Sequence, residues 1–243
     1  MENSSIRHES ICVNGTETAY TAAGEDGAPV VLVHGGAGDR RDWSKNIEAL
    51  ASSHRVFVPD LIGYGETSRP DGPYTIDRFA GFLGEFMDRL GIEMACLVGH
   101  SLGGRIALEV ASTSPERIAR LVLVAPIGFG RLSPIGYALG TVAWATFKAI
   151  RRPLPYPSLE IDLRDRDHGR LLEVRASTLI VWGRWDTYFP AWYSGRALDA
   201  IPGSRVRLFN RSGHAPHKDQ PSSFNRTVLD FLSEPDAPPV QPA

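Results

Sequence analysis

Apolar residues along this chain fall into short unbroken runs separated by stretches with a helical repeat. The runs are Val30-Val31-Leu32-Val33, Val56-Phe57-Val58, Ala95–Val98, Leu121–Val124, Leu179-Ile180-Val181-Trp182 and Val206–Phe209. They are rich in β-branched residues and mostly lack polar alternation, which predicts strands covered on both faces. Ahead of them, Ser10–Val13 and Thr16–Thr21 flank Asn14-Gly15, the signature of a hairpin closed by a type I′ turn.

Helices are predicted between the runs. Thr75 caps one that carries Phe79, Phe82, Leu83, Phe86, Met87 and Leu90 on one face, with Gly91 just past its end. Others span Trp43–Leu50, Leu102–Ser112, Ala191–Ala200 and Ser222–Leu232. Strand and helix in alternation give an α/β fold, with a mainly parallel sheet of about eight strands, helices on both faces and right-handed crossovers.

The rhythm breaks once. Between Val124 and Thr178 no convincing strand occurs, so 126–176 reads as a helical lid inserted after the sixth strand. Its first half, Ser133–Ile150, is apolar all round, and its second half, Glu160–Arg175, is highly charged. The core would then comprise 1–125 and 177–232. The tail 233–243 holds four prolines and no hydrophobic periodicity, and is expected to be disordered.

Composition narrows the partners. The 243 residues carry a net charge of −2, so no basic excess is available for a nucleic acid. The longest uncharged run, Leu132–Phe147, is shorter than the roughly twenty apolar residues of a membrane span. No charged-then-apolar leader opens the chain, which reads as cytoplasmic. Cys12 and Cys96 suggest no disulfide framework, and Cys96 reads as a small buried hydrophobe.

Four loops carry candidate chemistry, each directly after a predicted strand. Gly99-His100-Ser101-Leu102-Gly103-Gly104 joins a strand to a helix, with the glycines leaving room for a sharp turn around Ser101. His34-Gly35-Gly36-Ala37-Gly38 offers small residues where a substrate carbonyl would touch backbone. Negative charge built on that oxygen needs preorganised N–H donors, here assigned to Gly36 and Leu102. Asp186 ends Trp182-Gly183-Arg184-Trp185-Asp186, and His214 follows Gly213. A serine hydroxyl needs an imidazole to take its proton, and the imidazole needs a carboxylate to fix its tautomer. Open α/β sheets place ligands beyond the carboxyl ends of their strands, where all four loops fall.

Each residue alone has a plainer reading: Ser101 as a helix cap, the glycines as connectors, His214 as structural. The four loops in the order Ser, Asp, His are harder to explain that way. His100, Ala37, Tyr137, Trp144 and Trp185 are assigned as candidate substrate contacts, although His100 fits better as packing on the turn. Trp43 and Tyr64 read as packing. His217 lies three residues from His214 with Asp219 beyond, but across Pro216 and without a third ligand cluster, so it reads as a loop anchor and no metal is expected. Arg164-Asp165-Arg166-Asp167 reads as a solvated segment.

These motifs resemble the α/β-hydrolase superfamily, in its small bacterial esterase and C–C hydrolase branch. The resemblance rests on His34-Gly35-Gly36, Pro59-Asp60-Leu61-Ile62-Gly63-Tyr64-Gly65, Gly99–Gly103, Val181–Asp186 with Pro190, and Gly213-His214-Ala215-Pro216-His217. It implies a cofactor-free serine hydrolase, a carboxylesterase with the triad Ser101, His214 and Asp186, acting on a small-molecule ester. The oligomeric state is left open. A C–C bond hydrolase of dienoate ring-cleavage products is the alternative. Such relatives usually place tryptophan where Ala215 stands and often asparagine at His100. A ligand-sensing protein of this fold with little turnover is a further alternative. Dehalogenases and epoxide hydrolases are disfavoured because they carry aspartate at the Ser101 position. Two departures stand out. Ser177 replaces a proline common at the start of its strand, and Ser101 and Asp186 are only 85 residues apart, which implies a clipped lid.

Overall fold

The computed structural model describes residues 6–149, 157–160 and 173–235. Eight strands form one sheet: β1 (Arg7–Val13), β2 (Thr16–Ala23), β3 (Pro29–Val33), β4 (Arg55–Pro59), β5 (Ala95–His100), β6 (Ile118–Val124), β7 (Ser177–Gly183) and β8 (Arg205–Phe209). Their order across the sheet is β1-β2-β4-β3-β5-β6-β7-β8, antiparallel at β1–β2 and β2–β4 and parallel elsewhere. Asn14 and Gly15 both have positive φ, as the hairpin turn requires.

Two apolar layers flank the sheet, and strand periodicity divides the side chains between them. In β3, Val31 and Val33 join the layer that holds Phe79, Leu83, Phe86 and Ile106. Val30 and Leu32, one residue out of step, join the layer that holds Trp43, Leu50, Phe224 and Val228. A run covered on both faces therefore has no polar position, as the sequence implied. The first layer is roofed by α2 (Ile76–Arg89) and α3 (Leu102–Thr113), and the second by α1 (Ile47–Ala51) and the last helix (Pro221–Leu232). Trp43, Tyr64 and Cys96 are buried in these layers.

The helix expected over Trp43–Leu50 is a 3₁₀ turn, Arg40–Trp43, followed by the short α1. Tertiary hydrogen bonds interrupt it. The Arg40 N–H donates to Asp60 Oδ1 at 2.7 Å, and the Asn46 side chain donates to Asn225 and to the His217 carbonyl. The lid begins with α4 (Pro134–Ala149). The run Arg164–Asp167 lies outside the described residues, as does the tail beyond residue 235. The tail's first residues are tethered, because Glu234 pairs with Arg205 and its carbonyl accepts from Arg120.

Strand order reverses beside β3: β4 lies on one side and β5 on the other. The loops after β3 and β5 therefore part at a crevice, the usual ligand position of an open α/β sheet.

Candidate active site

Ser101 sits between β5 and α3 with φ 53 and ψ −111, in the left-handed half of backbone space where a non-glycine residue is strained. Its N–H donates to the Val124 carbonyl at 2.8 Å, and its carbonyl accepts from Arg105 and Ile127. Its side chain makes no capping bond to α3, so the helix start does not account for a serine here.

The glycines around it are there for space. A Cβ on Gly99 would lie 2.3 Å from the Gly103 carbonyl oxygen. One on Gly103 would lie 2.4 and 2.5 Å from the Val33 and His34 carbonyl oxygens. Strand, turn and helix start thus close tightly, with the His34–Gly38 loop directly against them. The Gly36 backbone faces Leu102, since a Cβ on it would touch Leu102 Cδ2 at 3.3 Å. Leu102 is the first residue of α3, so its N–H has no intrahelical acceptor. Ala37 is exposed beside Gly36.

His34 holds that loop. Its Nε2 accepts from the Leu61 N–H at 3.0 Å, and Nδ1 donates to the Gly35 carbonyl at 2.8 Å. Burial, the main cause, keeps its pKa below the usual histidine value, in keeping with this neutral tautomer.

Beyond β7, Asp186 Oδ2 lies 2.7 Å from His214 Nδ1. Its other oxygen accepts from the N–H groups of Tyr188 and Phe189 at 2.8 and 2.9 Å. A carboxylate with no exposed side-chain surface, whose two oxygens are divided in this way, has one orientation open to it. It also demands a proton on His214 Nδ1, which leaves Nε2 free as an acceptor. The His214 loop is anchored by Asp219, which accepts from the Gly213 N–H at 2.8 Å.

His100 links the halves of the site. It is buried, its Nε2 donates to the His214 carbonyl at 3.0 Å, and the two ring centroids are 4.8 Å apart. Next to it the wholly buried His217 stacks on Trp43 at 4.3 Å. Burial, the largest cause, drives both histidines well below the ordinary histidine pKa, and neighbouring histidines push the same way. The nitrogens of His217 and Nδ1 of His100 find no hydrogen-bond partner among the described residues. His100 thus faces the His214 loop, in the packing role it was also given.

A family profile for the alpha/beta hydrolase fold matches residues 28–152. The chain belongs to the α/β-hydrolase family. This α/β hydrolase is 30% identical to a 2-hydroxy-6-oxo-2,4-heptadienoate hydrolase of Pseudomonas putida, over 93% of this chain and 96% of that one. It is 28% identical to a dihydrolipoyllysine-residue acetyltransferase component of an acetoin-cleaving system from Cupriavidus necator, over 95% of this chain and 70% of that one. Among solved structures, it resembles a meta-cleavage product hydrolase of Pseudomonas fluorescens, with TM-score 0.78 and 28% identity, covering 92% of this chain and 97% of that one.

The other expected contacts divide. Tyr137 on α4 and Trp185 after β7 are exposed, and the side chain of Trp144 lies outside the described residues. Further neighbours of the α/β-hydrolase site went unassigned from sequence. The Tyr188 ring lies 5.3 Å from that of His214, and Leu159 returns from the lid to within contact of Gly36. Neither has a motif, because both reach the site by packing. No helix among the described residues is long and apolar enough to cross a membrane.

Proposed function

We propose that this α/β hydrolase cleaves an acyl bond, a carboxylic ester, through a covalent intermediate on Ser101. The observation that carries the reading is the Asp186–His214 pair, held in one tautomer and tied through His100 to a strained serine that caps nothing. Ser101 Oγ attacks the ester carbonyl while His214 Nε2 takes its proton. The tetrahedral oxyanion is received by the N–H groups of Leu102 and Gly36. Collapse expels the alcohol, which leaves with the proton from His214. Water then attacks the acyl-enzyme by the same route, and the acid is released. No cofactor enters these steps.

C–C hydrolysis of ring-cleavage dienoates is the second reading, favoured by the heptadienoate hydrolase among the relatives. Against it stand Ala215 and His100, where, by the resemblance drawn above, such enzymes usually carry tryptophan and often asparagine. Fluorophosphonate labelling followed by peptide mapping tests the common part, with Ser101 as the expected adduct. Ser101→Ala should abolish labelling and hydrolysis of short p-nitrophenyl esters, and full activity in that variant refutes the proposal. Turnover of esters and of a vinylogous diketone, measured side by side, separates the two readings.

A further inference from the structure

We propose that α4 and the loop it rests on form a docking face for an anionic lipid surface. Helix α4 has sixteen residues and no acid, and Gly136 is its one buried position among the described side chains. From Tyr137 to Val142 every residue is exposed, so the helix shows apolar surface on all sides. Helices that are apolar all round are otherwise found buried or in lipid. At about 24 Å long, α4 is too short to span a bilayer and long enough to lie along its interface.

The face continues beyond the helix. Gly136 packs on Tyr188, and Ser133 donates twice to the backbone around it: its N–H reaches the Tyr188 carbonyl and its hydroxyl the Thr187 carbonyl. Trp185 and Trp192 stand on this same loop, each more than half exposed, as are Ile135, Tyr137 and Val142 on α4. Arg196 stacks on Trp192 at 4.4 Å and donates to the Phe129 carbonyl, which draws Trp192 into the seam. Amphipathic aromatic rings beside cationic side chains are the composition of a membrane interface.

Charge selects the occupant. The chain as a whole is net negative, yet the exposed ionic side chains around this face are three arginines, Arg131, Arg184 and Arg196, against one acid, Asp199, a turn beyond Arg196. The one acid within 184–196, Asp186, is buried and engaged with His214. A second copy meeting this face about a two-fold axis would bring one arginine-rich surface against another. An anionic bilayer attracts them. Tyr188 joins the face to the site, since it touches both Gly136 and the His214 ring. A docked enzyme would therefore draw an apolar ester from the lipid phase.

Flotation of the full chain with vesicles tests this, using phosphatidylcholine alone or mixed with phosphatidylglycerol. Binding to the mixed vesicles is expected, weakening as salt rises. Arg131→Gln and Arg184→Gln should each lower partitioning about five-fold. The Leu139→Glu/Val142→Glu variant should stay unbound while keeping its thermal transition and its hydrolysis of a soluble ester. Ser101→Ala should bind like the parent, so loss of the esterase reading leaves this proposal standing. Three results overturn it: no binding by folded protein, equal binding to neutral vesicles, or a dimer that the double variant dissolves.

Discussion

Asp186→Asn separates geometry from charge at this site. The two backbone N–H groups of Tyr188 and Phe189 both point at one carboxylate oxygen, 2.8 and 2.9 Å away. In the variant, the side-chain carbonyl oxygen must take that place, because an NH₂ group there would face two donors. The NH₂ group is then left 2.7 Å from His214 Nδ1, where it can only donate. The imidazole proton is forced to Nε2, and Nε2 can no longer accept from Ser101. A wrong tautomer in an otherwise intact site costs about four decades in kcat, or about 5.4 kcal/mol of barrier. Stability should change much less. One charge-assisted hydrogen bond is lost, worth about 2 kcal/mol, while both backbone bonds survive. The assay is steady-state hydrolysis of p-nitrophenyl butyrate at neutral pH beside a thermal melt. Activity within about ten-fold of the parent, in a folded variant, refutes the argument that Asp186 sets the tautomer.

The remaining expectations use the same contacts. His100→Ala removes the bond to the His214 carbonyl, so kcat should fall about 10- to 100-fold with KM nearly unchanged. His100→Gln, which can still donate, should recover most of the loss, and equal losses in both variants count against a positioning role. Burial keeps His34, His100 and His217 below the ordinary value of 6.5, so below that pH the unfolded chain binds protons the folded chain refuses. Stability is therefore full above about pH 6.5 and is lost as pH falls, by up to about 1.4 kcal/mol per unit per histidine. Guanidinium midpoints that stay flat from pH 7.5 to 5.5 would contradict this. Gly103→Ala should cost about 3 kcal/mol or more, because its Cβ meets the Val33 and His34 carbonyl oxygens. Gly81→Ala, in α2 with open space around it, should stabilise by about 0.5–1 kcal/mol, and denaturant titration compares the two.

Strand centres were legible because burial on both faces leaves no polar position in the run. Strand ends were not: Arg55, Ser177 and Arg205 each open a strand at its amino end, where a polar side chain is not fully buried. The four loops were legible because few residue types perform their chemistry and each follows a strand. The 3₁₀ turn before α1 was not, since it is set by Asp60, His217 and Asn225, far away in sequence. Tyr188, Leu159 and the His100–His217 stack escaped for the same reason. Their place is defined by packing across the sheet's edge, and an aromatic or a leucine in a loop carries no signature of that.

Backbone strain gives the most direct separation of structure from chemistry. Ser101 and Ala125 hold φ values of 53 and 43, each at a cost of about 1–3 kcal/mol for a residue with a Cβ. Bonds from Ser101 to Val124, Ala125 to Val181 and Ile127 to Ser101 offset the strain by locking both turns against β6 and β7. A turn with no task beyond joining β5 to α3 would be more stable with glycine at 101, since the present side chain caps nothing. Ser101→Gly and Ser101→Ala both remove the hydroxyl, so both should be inactive. They should differ in stability, because only glycine relaxes the strained position. After the greater unfolded-state entropy of glycine is subtracted, Ser101→Gly should exceed Ser101→Ala by about 1 kcal/mol. Chemical denaturation of the two inactive proteins measures this. If the alanine variant is equally or more stable, the turn is not strained at that residue, and serine needs no functional reason to be there.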